Sequence, residues 1–298
     1  MDNTYSLLET VLAEIERSIK DKVSADSLAK AAAISSVHLQ RLFRFAFNQS
    51  IAAYIRARKL AASTADLFST DLKVIDIASE YSFDYEQSYI RAFKREFGIT
   101  PGEARDTGTY ITVKPPLTIS EKNRVSDGLI FAPDIIMMPR LLLVGRRHLL
   151  NASEVFDTTP KITKKFWHYD RDLIPDRTNG HVYIGVKNVT EDSIKKNAIY
   201  YLTSVQVSRH GTIPPGLEAV TLPASLCAKF RYIGRHHYFE LNRTIAEGMY
   251  KAIGRFAADG ESKYNIDFNQ TLDRLDTAAY DGVYCQMEWI ARVVPKHD

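Results

Sequence analysis

The stretch SSVHLQRLFRFAF at 35–47 returns, with the same skeleton, as DYEQSYIRAFKREF at 84–97. Arg41, Phe43, Arg44 and Phe47 recur as Arg91, Phe93, Lys94 and Phe97, each 50 positions later. Upstream of the turn, Leu28, Ala29 and Ile34 answer to Ile77, Ala78 and Phe83 at an offset of 49, because DYEQ carries one residue more than its partner. One amphipathic helix has no need of a twin, so the repeat binds the chain to a duplicated supersecondary unit. Each copy reads as a short helix, a tight turn and a longer helix, with a small residue (Ala29, Ala78) where the helices would cross closely. That is the pattern of a helix-turn-helix.

The longer helix of each copy has two faces. Helical spacing sends Leu39, Leu42, Phe43 and Phe47 inward and leaves Ser36, Val37, Gln40, Arg41 and Arg44 outward. In the second copy Phe93 and Phe97 turn inward, and Glu86, Gln87, Ser88, Arg91, Lys94 and Arg95 outward. Gln and Arg are the residue types that read adenine and guanine edges in the major groove, which admits one helix. Charge agrees locally: Ser27 to Ala65 holds Lys30, Arg41, Arg44, Arg56, Arg58 and Lys59 and no acidic residue. The net charge of +3 over 298 residues conceals this clustering.

Apolar spacing stays helical over 6–20, 27–33, 36–47, 51–68, 74–81 and 85–97, and Pro101 opens a last short helix. Ser24, Asp26 and Thr100 are candidate caps. The expected fold is multidomain: an all-α domain over 1–106 with two helix-turn-helix units, a Pro-broken linker over 107–130, and an α+β domain over 131–298. The last reads as strand 134–147, helix 153–170 and strands 181–189 and 198–209, then strand 218–232, helix 237–258 and strands 265–276 and 282–294. This duplicated strand-helix-strand-strand unit implies a pseudo-twofold axis and a groove between its halves. No basic-then-apolar leader opens the chain and no apolar run is long enough to span a bilayer, so a cytoplasmic protein without a membrane partner is expected. Cys227 and Cys285, two scattered cysteines, read as buried free thiols, and no metal or cofactor is expected.

Taken together, SLAKAAAISSVHLQRLFRFAF, IAAYIRARKLAAS and VIDIASEYSFDYEQSYIRAFKREFGITP resemble the DNA-binding domain of the AraC/XylS transcriptional regulators, over residues 1 to about 106. HLQRLF is similar to the multidrug and superoxide-response subgroup. The resemblance implies duplex DNA as partner, with Val37, Gln40 and Arg41 touching bases from one recognition helix and Gln87, Ser88 and Arg91 from the other. RNA polymerase is the further partner it implies. Val37 stands where that subgroup carries tryptophan, and Ser82 where glycine is usual before Phe83. A connecting helix of about 27 Å is shorter than the roughly 34 Å between successive major grooves, so two helices engaged at once imply bent DNA.

In the second half there is no G-x-S-x-G, H-E-x-x-H or P-loop, so no catalytic residue is assigned. His236 and His237, in RHHY, read as the start of a surface helix. Aromatic density beside isolated acids marks Trp167, Tyr183, Tyr201, Phe230, Asp273, Glu288 and Trp289 as candidate effector-binding residues, suited to small amphipathic molecules, cationic ones included. VYIGVKN, IYYLTSVQV, LPASLCAKFRYIG and VYCQMEWIARVVP resemble the gyrase-inhibitor-like effector-binding domain over about 133–295. In that family a pocket glutamate is frequent; Asp273 occupies the matching position. The expected function is an effector-responsive, DNA-binding transcriptional regulator that is not an enzyme. A small-molecule hydrolase in the second domain, or a protein-interaction module on a constitutive regulator, are the alternatives.

Overall fold

The structure, a computed structural model, describes residues 4–119, 123–125, 128–237, 239–258, 263–280, 282 and 284–296. Chain contacts divide it into two compact units, Thr4–Ile119 and the chain from Ser120 on.

The first unit is helical: α1 (Thr4–Arg17), α2 (Ala25–Ala31), α3 (Ser36–Phe47), α4 (Ile51–Ser69), α5 (Val74–Glu80), α6 (Glu86–Phe97) and α7 (Pro101–Thr107). Local chemistry fixes the ends. Ser24 and Ser27 form a capping box on α2, Ser35 and Ser50 accept from the backbones of His38 and Ala53, and Thr100 pairs with Glu103 ahead of Pro101. The sequence repeat is also a backbone repeat. Ala33 and Ser82 both take a left-handed φ, 54° and 58°, just past their short helices. Ile34 N–H donates to Ala29 and Phe83 N–H to Ala78, at 3.0 and 2.9 Å. The longer helices end on Asn48 and Gly98, again left-handed.

Helix α4 serves both copies. Its N-terminal half buries Ile51, Tyr54 and Ile55, and Tyr54 lies 5.5 Å from the Phe43 ring of α3. Its C-terminal half gives Leu60 and Leu67 to a core with Ile77, Ala78, Tyr81, Tyr89, Phe93 and Ala104. Within the expected linker, Lys114 offers its carbonyl to Arg58 and Leu117 donates to the Tyr54 hydroxyl, so this segment packs on the first unit. Arg124–Val125 (β1) and Gly128–Ile130 (β2), further along that segment, are strands of the second unit.

The second unit continues with β3 (Asp134–Met138), β4 (Leu141–Asn151), α8 (Val155–Lys165), β5 (Val182–Asn188), α9 (Glu191–Lys195) and β6 (Ala198–Gln206). Then come β7 (Glu218–Leu222), β8 (Ser225–Gly234), α10 (Arg243–Ala258), β9 (Tyr264–Asp276) and β10 (Cys285–Pro295). All strands pair antiparallel, in the order β1-β2-β8-β10-β9-β5-β6-β4-β7, with β3 also on β8. The strand-helix-strand-strand sets β4-α8-β5-β6 and β8-α10-β9-β10 meet at the β5–β9 pair.

Three expectations need correction. The runs expected as single strands over 134–147 and 218–232 each break at a proline, Pro139 and Pro223, which cannot donate to a ladder. After the break the pieces part: β3 pairs with β8, and β7 with β4. Helix α10 starts at Arg243 and not near 237, because Asn242 caps it by accepting from Ile245 N–H. His236 and His237 precede it in a loop, with His236 Nε2 3.0 Å from the Tyr232 hydroxyl; Tyr238 lies outside the described residues. Cys227 and Cys285 are buried and free. No described helix is long and apolar enough to cross a membrane.

Candidate nucleic-acid interface and small-molecule site

On α3, burial of Leu39, Leu42, Phe43 and Ala46 leaves Val37, Gln40, Arg41 and Arg44 exposed and Ser36 half-buried. On α6, burial of Tyr89, Ala92 and Phe93 leaves Gln87, Arg91 and Lys94 exposed and Ser88 half-buried. Arg41, Arg44 and Lys94 have no ion pair among the described residues, although Lys94 acts at longer range on the Glu103 carboxylate. Gln40 donates to Ser36 Oγ at 3.3 Å and Arg91 Nε to the Gln87 carbonyl at 3.2 Å, bonds within one helix turn that a base edge can replace. The cation cluster is smaller than its sequence suggests. Lys59 is buried and donates to the carbonyls of Asp21 and Tyr81, and Arg58 pairs with Glu16 at 2.8 Å. Both hold the fold together.

In the second unit, strand register decides which residues share a face. Phe230, Trp289, Asp273, Gly185, Thr203 and Arg146 stand side by side across β8, β10, β9, β5, β6 and β4. Beside this row run Tyr232, Met287, Leu275 and Tyr183, and on its other flank Thr271, Lys187, Tyr201 and His148. Helices α8 and α10 cover this face and leave a groove of about 490 Å³, its open mouth included. Its walls are Val155, Phe156, Thr159 and Pro160 of α8 and Ala246, Met249 and Tyr250 of α10, with Leu241 between. Lys187, Tyr201, Asp273, Met287 and Trp289 form the floor, and the hollow continues past Thr163, Tyr183, Phe239 and Leu275.

Gly185 makes the floor possible. A Cβ there would sit 2.0 Å from the Tyr201 hydroxyl and 3.0 Å from that of Tyr183, so only glycine lets the two rings meet over β5. The hydroxyls form a chain: Thr163 to Tyr183 at 3.0 Å, Tyr183 to Tyr201 at 3.2 Å, and Tyr201 donating to Asp273 Oδ2 at 3.2 Å. Because Tyr201 spends its proton on Asp273, it accepts from Tyr183, which in turn accepts from Thr163. Burial pushes the Asp273 carboxyl up to about 6, against the Tyr201 hydrogen bond and the Lys187 charge. Burial raises the Tyr183, Tyr201 and Tyr250 hydroxyls and lowers the Lys187 ammonium, whose Nζ sits 4.9 Å above the Tyr250 ring.

Four of the seven expected effector residues, Tyr183, Tyr201, Asp273 and Trp289, meet in this groove. Three do not. Glu288 is adjacent to Trp289 on a strand and so faces the other side of the sheet, paired with Lys229 and Arg274 at 3.3 and 3.0 Å. Phe230 is fully buried behind Trp289, and Trp167 is core beneath the Arg171 guanidinium, 4.2 Å away.

Both regions match known families. The pattern of the family described as "Helix-turn-helix domain" fits residues 28–107, and that described as "GyrI-like small molecule binding domain" fits residues 131–275. The transcriptional regulator Rob of Salmonella typhimurium is 28% identical over 233 residues, 76% of this chain and 78% of that protein. The right origin-binding protein of Escherichia coli is 30% identical over 164 residues, 54% of this chain and 55% of its own length. The HTH-type transcriptional activator AarP of Providencia stuartii is 37% identical over 105 residues, 35% of this chain and 78% of AarP. The chain belongs to the AraC-type transcriptional regulators. Its second domain is GyrI-like.

Sequence reasoning missed two groove residues of this AraC-type regulator that carry chemistry. Lys187 was legible: strand alternation in VYIGVKN puts it on the face of Tyr183 and Gly185. Tyr250 was legible only once α10 is known to lay Ala246, Met249 and Ile253 on the sheet.

Proposed function

We propose that this regulator reads a site about two helical turns long as a single chain, with α3 and α6 in successive major grooves. Its second domain takes a small amphipathic effector in the groove over Asp273. In this reading α2–α3 and α5–α6 are two helix-turn-helix units, the GyrI-like domain is a duplicated unit, and the protein acts on transcription in the cytoplasm through RNA polymerase. The observation that carries it is the pairing of two exposed faces, Gln40, Arg41 and Arg44 with Gln87, Arg91 and Lys94, on helices related by the repeat. Val37, 63% exposed at the start of α3, suits contact with a thymine methyl group. The 19 residues of α4 span about 28 Å, less than the roughly 34 Å between grooves, so the DNA is bent toward the protein.

The test is selection of bound duplexes from a randomised pool by the full chain, followed by affinity measurements. Arg41→Ala and Arg91→Ala should each cost about 1–3 kcal/mol and relax preference at a different position of the selected site. Lys94→Ala should weaken all sequences alike and lower the salt dependence. Selection of no common sequence, or two arginine variants with unchanged affinity, would sink the reading.

A further inference from the structure

The groove contains a cation that the acid-centred view of it leaves out. Lys187 Nζ lies over the Tyr250 ring and has no hydrogen-bond acceptor among the described residues. An ammonium carries three donors, and a half-buried one without acceptors pays for its lost water. Asp273 is the opposite charge that acts on it, yet no ion pair between them stands among the described residues. Asp273 in turn accepts from Tyr201 at Oδ2. So the floor presents a plus and a minus side by side, each still open to the groove.

We infer that the effector is an apolar or aromatic molecule bearing a single carboxylate, whose oxygens take the Lys187 ammonium while its body lies on Met287, Trp289 and Tyr250. This rests on the groove being the effector site. The choice between an anionic and a cationic head follows from what each meets. A cation would approach Lys187 as a like charge, and the attraction of Asp273 is already shared with Lys187 and the Tyr201 hydroxyl. A carboxylate supplies the acceptors that Lys187 lacks. Its own conflict with Asp273 is relieved cheaply: a carboxyl held up to about 6 takes a proton at pH 7 for about a factor of ten in population. A protonated Asp273 then donates to the ligand.

Titration calorimetry of the full chain with three molecules of one body tests this: 4-phenylbutyrate, 4-phenylbutylammonium and neutral 4-phenylbutan-1-ol. The wild type should bind the carboxylate about tenfold or more tighter than the ammonium. Lys187→Met, which keeps the stem and loses the charge, should abolish that preference while still binding the alcohol, which shows the groove intact. Asp273→Asn should tighten the carboxylate. Tighter binding of the ammonium, or a carboxylate affinity indifferent to Lys187→Met, overturns the inference and leaves the effector site standing. Binding of the alcohol alone does the same. Failure of all three molecules to bind overturns this inference and the effector reading together.

Discussion

The two domains put their polar side chains to opposite uses. In the AraC-type domain the groups with chemistry to offer stand on the outside of α3 and α6, over a floor of leucine and phenylalanine. In the GyrI-like domain they lie under two helices: Asp273, Lys187 and a relay of hydroxyls on the inner face of the sheet. An exposed charge costs almost nothing until a partner arrives. A buried one shifts its protonation and strains the fold throughout. The first arrangement separates function from stability and the second couples them.

The separation is tested most sharply within one turn of α6, where Arg91 and Phe93 stand on opposite faces. Phe93, fully buried with Tyr89 and Leu60, should cost about 3–5 kcal/mol of stability as Phe93→Ala. Arg91→Ala, one face over, should change chemical denaturation by less than about 0.5 kcal/mol. An Arg91 variant as unstable as the Phe93 variant would show that the polar face is structural.

The coupling has the next largest signature. Asp273 has a folded pKa of about 6 against an ordinary 3.8, so the folded state holds the proton more tightly than the unfolded one. The burial penalty is then complete above about pH 6, shrinks as pH falls, and is gone below about 4. Asp273→Asn should accordingly stabilise the protein at pH 7.5, by up to roughly 3 kcal/mol, and the gap to wild type should close between pH 6 and 4. Thermal or denaturant melts of both proteins across that range read it out; a gap that widens on acidification would reverse the assignment.

The smallest effect sharpens the comparison of the two repeats. Ala33 and Ser82 hold the same left-handed turn, but the Ser82 hydroxyl also donates to the Lys20 carbonyl. Ala33→Gly should therefore stabilise by up to about 1 kcal/mol, and Ser82→Gly by less, since it loses that bond. Equal gains in denaturant melts would mean that the Ser82 bond contributes nothing.

The same contrast explains what could be read from the sequence. Around α3 and α6 the helical period alone assigns faces, and the repeat reports the same answer twice, so the exposure of Gln40, Arg41, Gln87 and Arg91 is legible in the sequence. Caps such as Ser24 and Thr100 are equally local. In the sheet, period two assigns a residue to one of two faces but does not say which face the helices cover. Glu288 was misplaced for that reason, although its neighbour Trp289 was not. Phe230 and Trp167 failed differently: a ring that lines a groove and a ring that fills the core behind it have the same sequence signature. The parting of β3 from β4 needs only Pro139, but its pairing with β8 depends on the other half of the domain.

The central claim is that α3 and α6 occupy the DNA together. Hydroxyl-radical footprinting of the full chain on a selected duplex tests it directly. The account predicts two protected patches about one helical turn apart on one face of the DNA, with Arg41→Ala erasing one and Arg91→Ala the other. A single patch sensitive to only one of the two arginines would contradict it.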